Sequence, residues 1–460
     1  MATTGGTSAP TSIWWIRRDL RLEDNPALVA AAGDGRVVPL FVRDPRLSGT
    51  GRPRRARLEA SLAALDESMG GALVVRTGDP ADVVAEVAAE AGAARVHVTG
   101  EYTPFGRRRD EAVAARLEEA GIEPVATGTP YAVEPGSIVS GQGTPYKVFT
   151  PFSKVWREDA FVPPAPRPDV EWESVEGDEL DADLVELGRS FGPVGEAGAR
   201  ERWHEFVETD LEDYGEHRDR PDLDSTSRMS GHLKLGEIHP RTMLADLEDP
   251  GADDEDGAQK FVTELAWREF YADVLWHRPD SAWADLRDEL RGMPYDSGPD
   301  AAELVDAWRE GRTGFPFVDA GMRQLREIGW MHNRLRMVTA SFLVKDLHVW
   351  WPVGARHFLD HLIDGDIASN NHGWQWVAGT GTDAAPYFRV FNPIGQGKRF
   401  DPDGAYVRRW IPELAHLDGA RAHEPWKYLD GYVHAYPEPV VDHAEERRAA
   451  LDRYDRARGR

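Results

Sequence analysis

Three stretches of the chain put polar and ionisable side chains where a helical core would put apolar ones. In Phe261-Val262-Thr263-Glu264-Leu265-Ala266-Trp267-Arg268-Glu269-Phe270-Tyr271, residues Glu264, Trp267, Arg268 and Tyr271 recur at i, i+3, i+4 and i+7. That spacing sets a carboxylate, an indole, a guanidinium and a phenol on one helix face. A solvated face with an internal ion pair would give the same pattern. In Gly329-Trp330-Met331-His332-Asn333-Arg334-Leu335-Arg336-Met337, the helical period groups Trp330, Asn333, Arg334 and Met337, while Arg336 points elsewhere. The stretch from Asp364 to Trp376 gathers Asp364, Asp366, Asn370, Asn371, Trp374 and Trp376. Buried amides and carboxylates are costly unless satisfied, so this density implies a flat polar ligand or a closed internal network. Upstream, Thr226-Ser227-Arg228-Met229-Ser230 offers hydroxyls and backbone amides before a helical pattern, a combination that suits a pyrophosphate.

Other signals carry less. Gly379-Thr380-Gly381-Thr382-Asp383-Ala384 has dinucleotide-motif spacing but follows a tryptophan-rich helical segment, the wrong context. Gly395-Gln396-Gly397-Lys398 lacks the spacing of a phosphate-binding loop. His357 and His361 are four apart, but Phe358 stands where a zinc hydrolase needs glutamate. Asp364 and Asp366 are not followed by further ligands at calcium-loop spacing. No metal site is expected.

The elements that must position these residues fall into two kinds. In the first third, β-branched runs at Ser12–Ile16, Val37–Val42, Leu73–Thr77 and Val96–Thr99 alternate with helical patterns at Pro26–Ala32, Arg54–Ser68 and Ala81–Ala91. This rhythm predicts an α/β domain over 10–130, a doubly wound parallel sheet. Arg17-Arg18-Asp19-Leu20-Arg21 follows the first strand in place of a glycine-rich turn, so dinucleotide binding there is not expected. Residues 131–200, rich in Pro, Gly and acids, are expected to be an interdomain linker. Beyond residue 200 lie twelve of the 16 tryptophans and a helical period throughout, which predicts an all-α domain over 201–460.

With 80 acidic against 54 basic residues the formal charge is −26, and only seven of the basic residues are lysines. An acid excess carried with so little lysine suits a protein surface to concentrated salt. It opposes a generally basic nucleic-acid footprint, so any DNA contact must rest on local arginines. Without cysteine, disulfides, thiolate zinc sites and a cysteine nucleophile are excluded. No signal peptide or membrane span is apparent, and a cytoplasmic protein without an obligate partner, a monomer, is expected.

Asp19-Leu20-Arg21-Leu22-Glu23-Asp24-Asn25, Thr226–Ser230, Glu264–Tyr271, Gly329–Arg334 and Asn370–Trp376 resemble the photolyase/cryptochrome family, in the family's order. Thr382–Arg389 and His423-Glu424-Pro425-Trp426 extend the resemblance, which runs from Ile13 to the C-terminal region. It implies an N-terminal antenna domain and a helical domain holding FAD. Carried over by motif, Tyr214, Thr226, Ser227, Arg228, Met229 and Ser230 would hold the phosphates and ribitol, beside Phe261, Arg268, Trp330 and Asn333. Arg336 would pair with Asp364, Asp366 would meet the flavin edge, and Asn370 would face flavin N5.

The resemblance also implies a substrate, DNA containing a cyclobutane pyrimidine dimer, and the subtype is similar to class I enzymes. Trp267 and Trp376 would bracket the flipped-out dimer, Glu264 and Asn333 would bond its edges, and Met337 would lie against it. Arg218, Arg268, Arg334, Arg389 and Gln396 would meet the DNA backbone. Light-excited reduced FAD would pass an electron to the dimer, and Glu264 would stabilise the charge that develops. A cryptochrome-type light sensor with little repair is the alternative. Trp374 and Trp351 would carry electrons to oxidised FAD, with Tyr295 as the outer donor and Trp350 as a bypass. An antenna site would comprise Arg18, Asp44, Glu101 and Lys234, with 8-hydroxy-5-deazaflavin favoured over folate because Gly106 replaces the folate-binding glutamate.

Overall fold

Strand β1 (Thr11–Ile16) is buried along its whole length, the signature of a central strand covered on both faces. The computed structural model describes residues 9–247, 257–383 and 388–459, so residues 384–387 of the Thr382–Arg389 motif lie outside the described residues. The strands β1, β2 (Arg36–Arg43), β3 (Val74–Thr77), β4 (Arg95–Val98) and β5 (Glu123–Ala126) form one parallel sheet in the order β3-β2-β1-β4-β5. Around it pack helices α1 (Pro26–Asp34), α2 (Arg52–Ser68), α3 (Pro80–Ala91) and α4 (Pro104–Glu119). The doubly wound sheet is as expected. The fifth strand is short, half exposed and begins Glu-Pro, so it carries no apolar run to announce it.

The segment expected to be a linker is more than that. It contains α5 (Phe149–Ala160), α6 (Ala182–Ser190) and the start of α7 (Gly195–Thr209). Phe149, Phe152, Trp156 and Ala160 bury one face of α5 in the helical core, and Trp156 Nε1 donates to Glu269 at 2.6 Å. Helix α6 lies on α2 so closely that a Cβ on Gly188 would meet the Ala56 carbonyl. The surrounding prolines and acids mask these two helical periods.

The remainder is helical: α8 (Tyr214–His217), α9 (Ser230–Leu235), α10 (Pro240–Leu247), α11 (Gly257–His277), α12 (Pro299–Glu310), α13 (Pro316–Ile328) and α14 (Asn333–Lys345). There follow α15 (Trp351–His361), α16 (Ile367–Ala378), α17 (Pro393–Phe400), α18 (Ala405–Trp410) and α19 (His443–Ala457). Among the described residues no helix is long and apolar enough to cross a membrane.

A buried charge network joins the two parts. Glu237 accepts from Arg57 of α2 at 2.7 Å, bonds His232 of α9 at 2.5 Å and accepts from the Gly195 amide at 2.7 Å. Burial alone would raise this carboxyl, but the His232 bond and the Arg57 charge hold it down to about 2. Its folded value lies below the ordinary 4.5, so its stabilisation is complete above that pH and is lost as pH falls toward 2. Glu237→Gln is therefore expected to destabilise the protein at neutral pH by about 3 kcal/mol, since it leaves Arg57 buried and unpaired. The variant's melting temperature should then fall less steeply than wild type below pH ~4.5. Parallel melting curves across that range would refute the network's contribution.

Candidate functional site

The Asp364-Gly365-Asp366 turn leads into α16 and collects cations from four other segments. Arg336 donates to both Asp364 oxygens, at 3.2 and 2.7 Å, and Ser230 Oγ donates to the same carboxylate at 2.6 Å. Arg54 of α2 donates to the Gly365 carbonyl at 3.3 Å. Asp366 caps α16, accepting from the Ala368 and Ser369 amides at 3.0 Å each. Its other oxygen takes Arg18 at 3.1 Å and Lys234 at 3.4 Å. Burial opposes its charge, but Lys234, Arg18 and the helix amides hold it well below the usual carboxylate range.

The same contacts gather three of the four expected antenna residues. Arg18 follows β1 and Glu101 follows β4, at the switch point between the sheet's two halves, and they approach to 3.7 Å. Lys234 arrives from α9, where burial and then Arg18 push its ammonium down to about 8. Asp44 stands apart: its carboxylate caps a turn and is held by Arg46 at 2.7 Å. Arg109, 4.0 Å from Glu101, is what the two acids share.

Helix α11 carries the expected face. Glu264, Trp267, Arg268 and Tyr271 are all half-buried, and Tyr271 stacks on His372 of α16 at 5.6 Å, which sets the two helices side by side. Glu264 pairs with Arg218 at 2.6 Å. Trp267 has one face covered by Phe149 of α5, the rings parallel at 3.8 Å. Arg268 is not brought to the rim with Glu264. Its guanidinium donates to the Pro130 and Leu233 carbonyls and lies over Tyr131 at 4.5 Å, because the chain beyond β5 crosses it.

Trp330 does not share the face of Asn333, Arg334 and Met337. Gly329, at φ +64°, ends α13, and His332 caps α14, so that helix starts only at Asn333. The Trp330 ring instead lies under Arg228 at 4.5 Å. Asn333 is exposed, Met337 is half-buried, and Arg334 pairs with Asp219 at 2.7 Å over the Phe400 ring. Trp376 lines a cleft with Lys345, Phe388, Arg389, Phe391 and Tyr454. Arg389 is exposed and Gln396 sits half-buried in α17.

Tyr214 and Phe261 share an aromatic cluster with Trp203 and Phe206. It backs the 226–230 loop, whose Thr226 and Ser227 carbonyls accept from Arg202 at 2.9 and 3.0 Å. Arg228 takes φ +55°, bonds Asp224 at 2.5 Å, and turns the chain so that Met229 is buried and Ser230 exposed. Asn370 donates to the Ala355 carbonyl at 3.1 Å and to Asn371 at 2.8 Å.

Trp374 is buried against Trp308 at 6.1 Å and Phe358 at 4.9 Å. A Cβ on Gly354 would stand 2.2 Å from the Trp374 ring, so this glycine lets α15, which begins at Trp351, lie directly on it. Trp351 contacts exposed Trp350 at 6.4 Å and donates to Asp285 at 2.8 Å. Tyr295 is half-buried beside Met293 and Tyr454. Arg54, Phe149, Asp285 and Trp308 were not singled out from sequence, because each finds its partner across tens to hundreds of residues and no local spacing marks it.

Residues 12–169 match the DNA photolyase family, and residues 261–456 match the FAD binding domain of DNA photolyase. Sheet, helical body and matches together define a two-domain protein with an FAD-binding domain. The chain belongs to the DNA photolyase family. It is 44% identical over 457 residues to the deoxyribodipyrimidine photo-lyase of Streptomyces griseus, covering 96% of this chain and 97% of that one. It is 39% identical to the Escherichia coli enzyme of the same name, covering 97% and 99%. Among solved structures, a class III photolyase from Agrobacterium tumefaciens superposes with a TM-score of 0.91 at 35% identity, covering 100% of both chains. An archaeal photolyase from Sulfolobus tokodaii with two FAD molecules gives 0.84 at 30% identity, covering 97% and 100%. A Synechocystis cryptochrome gives 0.87 at 28%, covering 97% and 99%.

The residues present fit FAD. The hydroxyls of Ser225 and Thr226 are buried without a hydrogen-bond partner among the described residues. Such orphaned groups call for a bound polar ligand. The Glu264–Arg218 pair, by contrast, is about a third exposed on each side, and such pairs contribute about 1 kcal/mol or less. Glu264→Gln is expected to leave the melting temperature within ~2 °C of wild type. A larger drop would assign Glu264 to the fold.

Proposed function

We propose that this enzyme repairs cyclobutane pyrimidine dimers in DNA under light, using FAD held in the helical domain. The observation that carries the reading is Glu264, half-buried beside Trp267 and kept by Arg218 instead of being sunk in the core. A carboxylate so placed can hydrogen-bond a pyrimidine edge and stabilise charge that develops on it. Trp267 and Trp376 offer indole surface for a dimer drawn out of the duplex. Asn333 and Met337 complete the pocket in the manner of class I enzymes.

Tyr214, Phe261, Trp330 and the 226–230 loop would hold the dinucleotide end of FAD, and the Arg336–Asp364 pair and Asp366 would flank the isoalloxazine. Both amide hydrogens of Asn370 are committed, to Ala355 and Asn371, so its oxygen is left to accept a ligand N–H. When bound, reduced and excited by light, FAD supplies the electron that opens the cyclobutane ring and receives it back. Arg218, Arg334 and Arg389, with Gln396, would meet the DNA backbone. Because Arg218 and Arg334 already hold Glu264 and Asp219, phosphate contact there exchanges one anion for another. That is how an acidic body can take a polyanion.

We assign the seam residues Arg18, Glu101 and Lys234 to a second chromophore, 8-hydroxy-5-deazaflavin in preference to folate. Arg18 Nη1 there is buried without a hydrogen-bond partner among the described residues. The division into a sheet domain and a catalytic helical domain, and a monomeric state, belong to the same reading.

Purified, reduced protein is expected to convert thymine-dimer DNA to monomers under blue light and to do nothing in the dark. Glu264→Ala should lower repair about tenfold or more while FAD content is kept. Dark activity, or light-driven redox signalling without repair, would overturn the reading. Chromophores extracted from protein made in a deazaflavin-producing host should be FAD and 8-hydroxy-5-deazaflavin. Folate or a second flavin would overturn that assignment alone.

A further inference from the structure

We propose that Asp285 is the proton acceptor for Trp351 when that indole gives up an electron. The inference rests on the reading of Trp374 and Trp351 as an electron path to FAD. Trp351 is fully buried, Asp285 is 4% exposed, and the indole N–H donates to Asp285 Oδ1 at 2.8 Å. The neighbouring Trp308 instead donates to the Thr339 carbonyl at 3.0 Å, and an amide carbonyl is not a base. Other buried indoles have carboxylate partners, Trp14 with Asp19, Trp156 with Glu269 and Trp203 with Asp246, but they lie in different clusters from Trp374.

The Asp285 loop is built to hold this contact. The Leu286 amide donates to Gln375 of α16 at 2.9 Å, and the Arg287 amide donates to the Thr380 carbonyl at 3.0 Å. Arg291 Nε closes the loop on the Asp285 carbonyl at 3.0 Å. Asp285 is thus tethered to the helix that carries Trp374 while its side chain reaches Trp351. The same carboxylate bears on Tyr295, whose buried hydroxyl has no hydrogen-bond partner among the described residues.

The step balances without any further reactant. The one-electron oxidant is light-excited, oxidised FAD. One electron leaves Trp351 toward Trp374, the indole N–H bond breaks, and the proton crosses the existing hydrogen bond to form an O–H on Asp285. A neutral indole radical and a neutral carboxylic acid remain. Removing an electron makes an indole N–H strongly acidic, and a carboxylate already in hydrogen-bond contact is placed to take its proton. Once the proton has moved, the electron can return only with it, which prolongs the charge separation.

The test is time-resolved absorption on the full-length, FAD-loaded, oxidised protein, in water and in D2O. In wild type the tryptophan cation should convert to the neutral radical, more slowly in D2O. Asp285→Asn should lengthen the cation's lifetime about tenfold or more, the scale of losing a charge-assisted hydrogen bond, and Asp285→Glu should restore conversion. Trp374→Phe tests the underlying path separately, because it should abolish the Trp351 signal altogether. If it does and Asp285→Asn still converts at the wild-type rate, Asp285 is not the acceptor. Wild-type protein provides the check that needs no variant: its light-induced infrared difference spectrum should show a protonated carboxylic acid rising with the radical. Absence of that band overturns the proposal.

Discussion

Four cationic side chains converge on one three-residue turn. Arg336 takes Asp364, Arg54 takes the Gly365 carbonyl, and Arg18 and Lys234 share Asp366. Two of the four, Arg18 and Arg54, come from the sheet domain, and Arg336 and Lys234 come from the helical body. Buried charges survive only when paired and hydrogen-bonded, so neither part could hold this arrangement without the other. The relative placement of sheet and helices follows from it. The Arg57–Glu237–His232 network fastens the same two bodies through α2 and α9.

This dependence makes the N-terminal domain a partner in building the helical domain's site. Arg18 and Lys234, the residues assigned to a second chromophore, already touch the carboxylate that caps α16. That helix carries Asn370, Trp374 and Trp376, and Gln375 of the same helix tethers the Asp285 loop. The residues proposed for light capture, electron supply and substrate binding thus meet along one helix whose Ala368 and Ser369 amides are held by Asp366.

Local patterns were legible where chemistry follows a helical period. The Glu264–Tyr271 face of α11, the alternating strands of the sheet and the isolation of Arg336 from its neighbours could all be read from spacing. The Asp364–Arg336 pair was available only through resemblance, since 28 residues separate the partners. Trp330 was misplaced because a periodicity does not reveal that Gly329 and His332 break the helix around it. Phe149 was hidden in a segment whose prolines and acids suggested a linker, yet its ring covers one face of Trp267. Asp44 fits its motif but is captured by Arg46 two residues on, a contact that a residue-by-residue transfer has no means to see. Asp285 shows the general limit: a carboxylate in a loop acquires meaning only from the indole 66 residues away that points at it.

The central claim is that the 364–366 turn, gripped from both sides, organises the cofactor site. Asp364→Asn tests it most directly, because it keeps the shape and hydrogen-bonding size of the side chain while removing the charge that holds Arg336 and receives Ser230. FAD dissociation measured by fluorescence should show affinity lowered at least about tenfold, the cost of leaving the arginine's charge without its buried partner. FAD bound with wild-type affinity by a folded Asp364→Asn protein would contradict the account.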